Sequence, residues 1–363
     1  MNNGHGTIAL AENEGTQSTL EVSGFGPRER QPNRRFYLTV VTPAYNEAPN
    51  LPLLYDRIAA ILTPMDLDWE WIVVDDHSSD DTFRVVTDLA LRDSHIRAIR
   101  FARNFGSHKA ILCGLDYAQG DCTVVLAADL QDPPETIPTL LAKWREGAHV
   151  VWAARAGREG EKATTVGLAR LYYLLMRHVV GMKEMPSMGA DFFLIDRSVT
   201  DALRRFNESN TSILALITWM GFSQTTITYD KQARAQGRSG WSMEKKLKLA
   251  VDSITSFTYL PIRLISYAGM IVALLGFLYA AVVIANALIG RPVQGWASLM
   301  VVLLVIGGIQ MLMMGVLGEY LWRALDEARQ RPRYLIEATT ETIQASMERY
   351  AAIGQFRRAG TQR

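Results

Sequence analysis

Cysteine is nearly absent from this 363-residue chain. Cys113 and Cys122 are the only two, too few for a disulfide framework or a cysteine-based zinc site, and both are expected to be reduced and structural. Excess charge is also missing: 38 Lys and Arg face 37 Asp and Glu, a net charge of +1. No basic field marks a nucleic-acid binder, and nucleic acid is excluded as a partner. Glycine-rich phosphate loops of the Rossmann and Walker types are lacking, which argues against a dehydrogenase or an ATPase; a nucleotide bound here needs a metal in place of a glycine loop. No apolar run precedes the first β-rich stretch, so no secretory signal is expected and the soluble part is expected to stay in the cytoplasm. A hydrophobic share of 48% excludes a mainly disordered chain. The length suggests about two domains. No internal repeat is present.

Charge is absent in one further sense. Leu264–Gly290 and Pro292–Gly318 are two uncharged runs of 27 residues with Arg291 alone between them. At about 1.5 Å per residue each reaches roughly 40 Å, enough to cross a hydrocarbon core of about 30 Å with some tilt. Lys245, Lys246, Lys248 and Arg263 precede the first run, and Arg323, Arg329, Arg331 and Arg333 follow the second. This asymmetry predicts two transmembrane helices with both termini in the cytoplasm; the membrane is expected to be the inner, cytoplasmic one. Residues 1 to about 35, rich in Gly, Glu, Asn and Gln without periodicity, are expected to form a disordered arm.

What is present lies between these parts. Short β-rich runs at Phe36–Thr42, Trp69–Asp75, Ile96–Phe101, Cys122–Ala127 and His149–Ala153 alternate with helical spacing over Asn50–Leu62, Asp80–Leu91, Ser107–Gln119 and Pro134–Glu146. The alternation predicts an α/β domain with a largely parallel sheet and helices on both faces. Ligands bind such sheets outside the carboxyl ends of the strands, and those ends are polar: Thr42–Glu47, Asp75–Thr82, Arg103–Gly106 and Ala128–Glu135. Asp129, Gln131 and Asp132 supply oxygen donors in one turn, the hard set that suits Mg²⁺ or Mn²⁺ on a diphosphate. Asp before Pro also opens turns and caps helices, so this turn alone leaves both readings open.

Taken together, Thr42-Pro-Ala-Tyr-Asn-Glu47, Val73-Val-Asp-Asp-His-Ser-Ser-Asp80, Arg103-Asn-Phe-Gly106, Gly114–Asp121, Ala128-Asp-Leu-Gln-Asp-Pro-Pro-Glu135 and Gly318-Glu-Tyr-Leu-Trp-Arg323 resemble the polyprenyl-phosphate branch of glycosyltransferase family 2. That branch includes bactoprenol glucosyltransferases and, more distantly, dolichol-phosphate mannose synthases. The resemblance runs from about Phe36 to Tyr334 and includes both apolar runs. It implies a Rossmann-like GT-A catalytic domain over 36–240, an amphipathic juxtamembrane segment over 241–263, transmembrane helices over 264–290 and 292–318, and a cytoplasmic tail over 319–363. It further implies inverting transfer of a hexose, most commonly glucose from UDP-glucose, to undecaprenyl phosphate.

Residue by residue, the resemblance places Pro43, Tyr45, Glu47 and Asp75 at the nucleoside, Ala128 and Asp129 at the nucleotide sugar, and Asp129 with Gln131 at an Mg²⁺ or Mn²⁺ ion. Arg155 matches a basic residue near the donor, and Asp191 an acidic residue at the sugar, whose plain alternative is a strand-edge carboxylate paired with arginine. Lys231, Arg234 and Ser239 match a loop that holds acceptor or diphosphate oxygens. Two positions depart from the pattern. Ala127 stands where the family usually has a first aspartate, and Gly240 where a basic residue commonly follows the serine; Arg238 or Lys245 is the alternative source of that charge.

A lipid phosphate with a second pKa near about 6 is already ionised at neutral pH, so the implied reaction needs no strong base, and Asp191 is expected to orient or to stabilise charge. The stretch Trp241–Tyr259, with its three lysines, is expected to lie on the anionic leaflet, although a solvated helix face explains the lysines equally well. A processive polysaccharide synthase is disfavoured by the lack of a Gln-x-x-Arg-Trp motif and of further spans. A membrane-anchored enzyme with a non-lipid acceptor and a non-enzymatic lipid carrier remain as other classes. Glu319 and Arg323 are spaced to pair at i,i+4. Gly315 and Gly318 lie on nearly one helix face and, with the family, point to a homo-oligomer. Cross-linking in mild detergent is expected to capture that oligomer; monomer alone at every concentration overturns the expectation.

Overall fold

The computed structural model describes residues 35–155, 191–206, 208, 212–230, 232, 260–289 and 295–341. The chain begins with alternating strands and helices: β1 (Tyr37–Ala44), α1 (Leu51–Leu62), β2 (Asp68–Asp75), α2 (Thr82–Ala90), β3 (Ile96–Phe101), α3 (Ser107–Tyr117) and β4 (Cys122–Val125). A short 3₁₀ turn (Pro134–Thr136) leads into α4 (Ile137–Arg145) and β5 (Val150–Arg155). Then come β6 (Phe192–Asp196), α5 (Arg197–Leu203), α6 (Ile213–Trp219) and β7 (Gln224–Tyr229). Two long helices follow, α7 (Leu260–Leu288) and α8 (Trp296–Ala328), and the described chain closes with β8 (Ile336–Thr339). The five expected strands and four expected helices all form, with ends shifted by a few residues.

The strands make one eight-stranded sheet in the order β7-β5-β6-β4-β1-β2-β3-β8. β1 pairs in parallel with both β2 and β4, and β2 in parallel with β3. β6 runs against β4 and β5, and β8 against β3. Six strands therefore share one direction, as the α/β alternation predicts. Strand side chains alternate between two cores. Trp71 and Val73 of β2 pack with Leu54 and Ile58 of α1 and Leu140 and Trp144 of α4, while Ile72 and Val74 pack with Ile111 and Leu115 of α3 and Leu216 of α6. Both faces are covered, so the runs are apolar throughout rather than alternating with polar residues. Cys113 and Cys122 are buried and free of disulfide.

The chain after Gly318, expected as a cytoplasmic tail, carries regular structure up to Thr339. α8 continues as helix through Glu319, Arg323 and Glu327 to Ala328, and Arg323 donates to Glu319 Oε1 from Nε at 3.0 Å and from Nη2 at 2.8 Å. Seven residues later the chain returns to the sheet as β8, edge-pairing with β3. Arg333 and Tyr334 anchor this return on Asp116 of α3 at 2.9 and 2.7 Å, and the Tyr334 ring stacks on Phe101 at 5.3 Å. The apolar faces of α7 and α8 stay exposed, with windows over Ile262–Asn286 and Leu299–Ala328 long and apolar enough to cross a membrane. The expected arm and most of the juxtamembrane segment lie outside the described residues.

Gly120, before β4, sits where backbones meet: an added Cβ would lie 2.6 Å from both the Thr39 amide nitrogen and the Cys122 carbonyl oxygen. Neither can retreat without breaking the sheet. Gly120→Ala is expected to destabilise the domain by about 1–3 kcal/mol, read as a lower thermal midpoint in detergent.

Candidate active site

β1 is the point where the order of parallel strands reverses, since the chain moves to β2 and β3 on one side and to β4 on the other. The loops after β1 and β4 therefore diverge, and the crevice in which open α/β sheets take ligands is the one between such carboxyl ends. Pro43 and Ala44 end β1 beside Val74 and Asp75 of β2. Tyr45 stands at the rim, half exposed, and Glu47 begins the turn into α1, where it accepts from Asn50 Nδ2 at 2.5 Å.

Side chains after β2 build the loop after β1. Asn46 takes a left-handed conformation (φ 57°), one that asparagine tolerates. Its amide donates to Ser78 Oγ at 2.9 Å, and its Oδ1 accepts the Ser79 amide at 2.9 Å. The Glu47 amide donates to Thr82 Oγ1 at 2.8 Å and the Ala48 amide to Asp80 Oδ2 at 3.3 Å. The polar run after β2 is thus largely a bracket for the neighbouring loop.

Asp75 is fully buried at the end of β2. Its Oδ1 accepts from the amide (3.0 Å) and the hydroxyl of Ser78, and its Oδ2 from Arg100 Nη1 at 2.9 Å. Asp76 was not among the expected site residues, although its place in the Asp-Asp pair was a signal. Its two oxygens accept the amides of Phe105 at 2.6 Å and Gly106 at 2.9 Å, holding the Arg103–Gly106 loop ahead of α3.

On the other wall, Ala128 and Asp129 are buried after β4, and Leu130 takes a left-handed turn (φ 61°). Asp129 Oδ1 accepts the Gln131 amide at 3.2 Å. Asp132 does not join Asp129 as expected for a shared donor set: its carboxylate accepts the Tyr229 hydroxyl in the interior. Burial, and then the Asp132 charge, push the Tyr229 hydroxyl well up, so it remains a donor. β7 runs parallel to β5, which sets Arg155 opposite Tyr229, and Arg155 also has Asp191 and Asp132 as charged neighbours. Asp191 is exposed at the start of β6, and His108 at the start of α3 is a further electrostatic neighbour.

The carboxyl ends of the strands therefore gather Pro43, Tyr45 and Glu47 on one wall, with Asp75 buried behind it, and Ala128, Asp129 and Gln131 on the other. Arg155 and Asp191 stand beyond the second wall at the ends of β5 and β6. Lys231, Arg234 and Ser239 lie outside the described residues. Their neighbour Gln232 is tied to the second wall: its amide donates to the Gln131 carbonyl at 2.9 Å, and its side-chain oxygen accepts from Arg57 Nη1 at 3.2 Å. Arg57 in turn forks onto Glu135 at 3.0 and 2.6 Å, holding that carboxyl below its usual range.

Residues 39–204 match Glycosyl transferase family 2, and residues 260–323 match the GtrB C-terminal hairpin. A bactoprenol glucosyl transferase of Shigella phage SfV is 34% identical over 301 residues, which span 83% of this chain and 98% of that protein. The chain belongs to glycosyltransferase family 2. An uncharacterised glycosyltransferase of Synechocystis is 39% identical over 300 residues, 82% of this chain and 94% of the relative. Glucosyl-3-phosphoglycerate synthase of Mycobacterium tuberculosis, solved with Mn²⁺ and UDP-glucose, shares 18% identity over 60% of this chain and 76% of its own, at a TM-score of 0.44. The glycosyltransferase joins a family 2 domain, built on a mixed α/β sheet, to two apolar helices that are candidate membrane spans.

Burial pushes the Asp76 carboxyl up to about 6 against the two amides that favour its charge. The folded state therefore binds this proton more tightly than the unfolded chain does. The resulting stabilisation is complete below about pH 4 and is lost as pH rises through about 6, by about 3 kcal/mol. In thermal unfolding across pH 4 to 7, wild type is expected to show this decline and Asp76→Asn to lack it. Equal slopes overturn the assignment.

Proposed function

We propose that this glycosyltransferase moves glucose from UDP-glucose to undecaprenyl phosphate at the cytoplasmic face of a membrane, inverting the anomeric centre. The observation that carries the reading is the pairing in one chain of a family 2 domain with the GtrB hairpin, an architecture that covers 98% of a bactoprenol glucosyl transferase. A different donor sugar, or a membrane-anchored enzyme with a non-polyprenyl acceptor, is the alternative, because donor choice rests on a few pocket contacts of small energy difference.

Pro43, Tyr45, Glu47 and Asp75 take the nucleoside in this reading, and Ala128 and Asp129 face the diphosphate. The donor set suits a divalent ion held mainly by its substrate. Asp129 supplies one carboxylate and Gln131 an amide oxygen, Asp132 is engaged elsewhere, and no cluster of three or more His, Cys, Asp or Glu converges among the described residues. Mg²⁺ and Mn²⁺ are hard ions commonly bound through one or two carboxylates plus substrate phosphates. Ala127, in place of a family aspartate, fits the same sparse set. When bound, such an ion neutralises charge on the departing diphosphate.

Arg155 adds fixed positive charge near the leaving group, and Asp191, with Arg155 and His108 as neighbours, orients the sugar or stabilises charge at its anomeric carbon. The attacking lipid phosphate carries its own negative charge, so positioning is the main task. Lys231, Arg234 and Ser239 are assigned to phosphate oxygens, on a loop whose Gln232 is bolted to the Gln131 turn.

Height above the membrane supports a lipid acceptor. α8 continues in register beyond Gly318, and Asp326 and Glu327 near its end lie electrostatically against Lys109 at the start of α3. Eight residues at about 1.5 Å put that contact roughly 12 Å from the end of the apolar run. A reactive phosphate at the headgroup level is within reach of a site so placed. The positive flanks support a cytoplasmic side for both termini, and the open surface at Gly315 and Gly318, where a second helix could approach closely, supports a homo-oligomer.

Purified protein in detergent with undecaprenyl phosphate, Mg²⁺ or Mn²⁺ and labelled nucleotide sugars is expected to put label into the organic phase from UDP-glucose. Asp129→Ala is expected to lose at least about 100-fold in transfer, in line with loss of an electrostatic group at a developing charge, while keeping its thermal midpoint. Near wild-type turnover at saturating donor removes Asp129 from the metal site.

A further inference from the structure

β3 carries two arginines that make the same kind of contact at opposite ends of the strand. Arg97 donates from Nη1 to buried Glu70 of β2 at 3.0 Å and from Nε to Glu341, just past β8, at 2.9 Å. Arg100 donates from Nη1 to buried Asp75 of β2 at 2.9 Å and from Nε to Glu337 of β8 at 3.0 Å. Its Nη2 also reaches the Ser78 carbonyl at 3.1 Å. His77 Nδ1 is a second neighbour of Glu337, at 3.5 Å.

The two clamps differ in what their buried carboxylates can do. Glu70 lies away from the crevice, where Thr39 Oγ1 and the Gln119 amide bond to its Oε1 at 2.7 and 2.8 Å. Asp75 lies at the carboxyl end of β2 with no exposed surface. Ser78 and Arg100 take three of the roughly four acceptor sites of its carboxylate. Its hold passes outward through Ser78, whose Oγ accepts the Asn46 amide at 2.9 Å in the loop between Tyr45 and Glu47. The guanidinium is a rigid planar fork, and contacts at Nε, Nη1 and Nη2 fix its plane at three points.

We propose that Arg100 and Glu337 are positioning residues for the nucleotide sugar. The strand that returns from the membrane hairpin holds Arg100, Arg100 holds Asp75, and Asp75 holds through Ser78 the Asn46 turn between Tyr45 and Glu47, the residues that take the nucleoside. Donor binding is thereby coupled to the seating of β8, and so to the hairpin from which β8 emerges: a donor is held well only when the membrane part is docked on the sheet. This inference rests on the assignment of Tyr45 and Glu47 to the nucleoside.

The two clamps provide their own control. Glu337→Gln and Glu341→Gln each remove one exposed carboxylate from a β3 arginine in the full-length protein in detergent. Glu337→Gln is expected to raise the donor KM roughly 3- to 10-fold, the scale of one charge-assisted hydrogen bond, with kcat and acceptor KM within about twofold. Glu341→Gln is expected to match wild type in all three while lowering the thermal midpoint to a similar degree. Equal donor KM in the two variants, or a loss confined to kcat in Glu337→Gln, overturns the coupling. If wild type transfers no glucose, the functional reading fails on its own, and UDP affinity measured by calorimetry on the same three proteins decides the coupling. Weaker binding by Glu337→Gln alone sustains it, equal affinities overturn it, and a wild-type protein that binds no UDP overturns both.

Discussion

β1 has parallel partners on both sides, and the divergence of the chain at its carboxyl end governs where the polar groups of the candidate site are placed. Backbone pairing with β2 and β4 consumes the strand's hydrogen bonds, so the chain leaving β1 must take its partners from elsewhere. Ser78, Ser79, Asp80 and Thr82 supply them from the loop after β2. The facing loop after β4 is braced by Tyr229 on Asp132 and by Gln232 on the Gln131 carbonyl. Each wall is thus preorganised by a different part of the chain, which keeps ligand-facing groups in place without ordering cost at the moment of binding.

Burial of charge is the second constraint. β2 carries Glu70 and Asp75 into the interior, where a carboxylate alone costs several kcal/mol and removing its partner about 3–5 kcal/mol. β3 answers both with arginines, and those arginines extend to the segment after the hairpin. The edge of the sheet is thereby covered, which removes an open strand that would otherwise template aggregation. The same pairing ties the segment that follows the apolar hairpin to the sheet domain through Arg333, Tyr334 and β8.

Much of this was legible in the sequence. Strands β1 to β5 are apolar runs bounded by polar turns, and helices α1 to α4 carry clear spacing between them. The apolar helices were legible from missing charge alone, and Glu319 with Arg323 from i,i+4 spacing. β6 announced itself only as an acidic residue before Phe-Phe-Leu-Ile. β7, Gln224-Thr-Thr-Ile-Thr-Tyr229, has few apolar residues because it is an edge strand, and β8 is four residues of weak β pattern in a charged tail. Short edge strands owe their existence to a partner, and a partner 237 residues away, as Glu337 is from Arg100, leaves no local trace. The Asp-x-x-Asp turn illustrates the same limit. Asp129 and Asp132 are equivalent donors on paper, and only the arrival of Tyr229 removes Asp132 from the set.

The sequence by itself determined the order of β1 to β5 and α1 to α4, the two apolar spans, and the membership in family 2, because these rest on periodicity, charge and motif spacing along a contiguous chain. The tertiary structure alone decided which carboxylates face the crevice and which are consumed by arginine, serine or tyrosine, and that the tail comes back as the eighth strand. Those outcomes depend on pairing between distant segments, where the cost of burying a charge is offset only by a partner that the fold brings across.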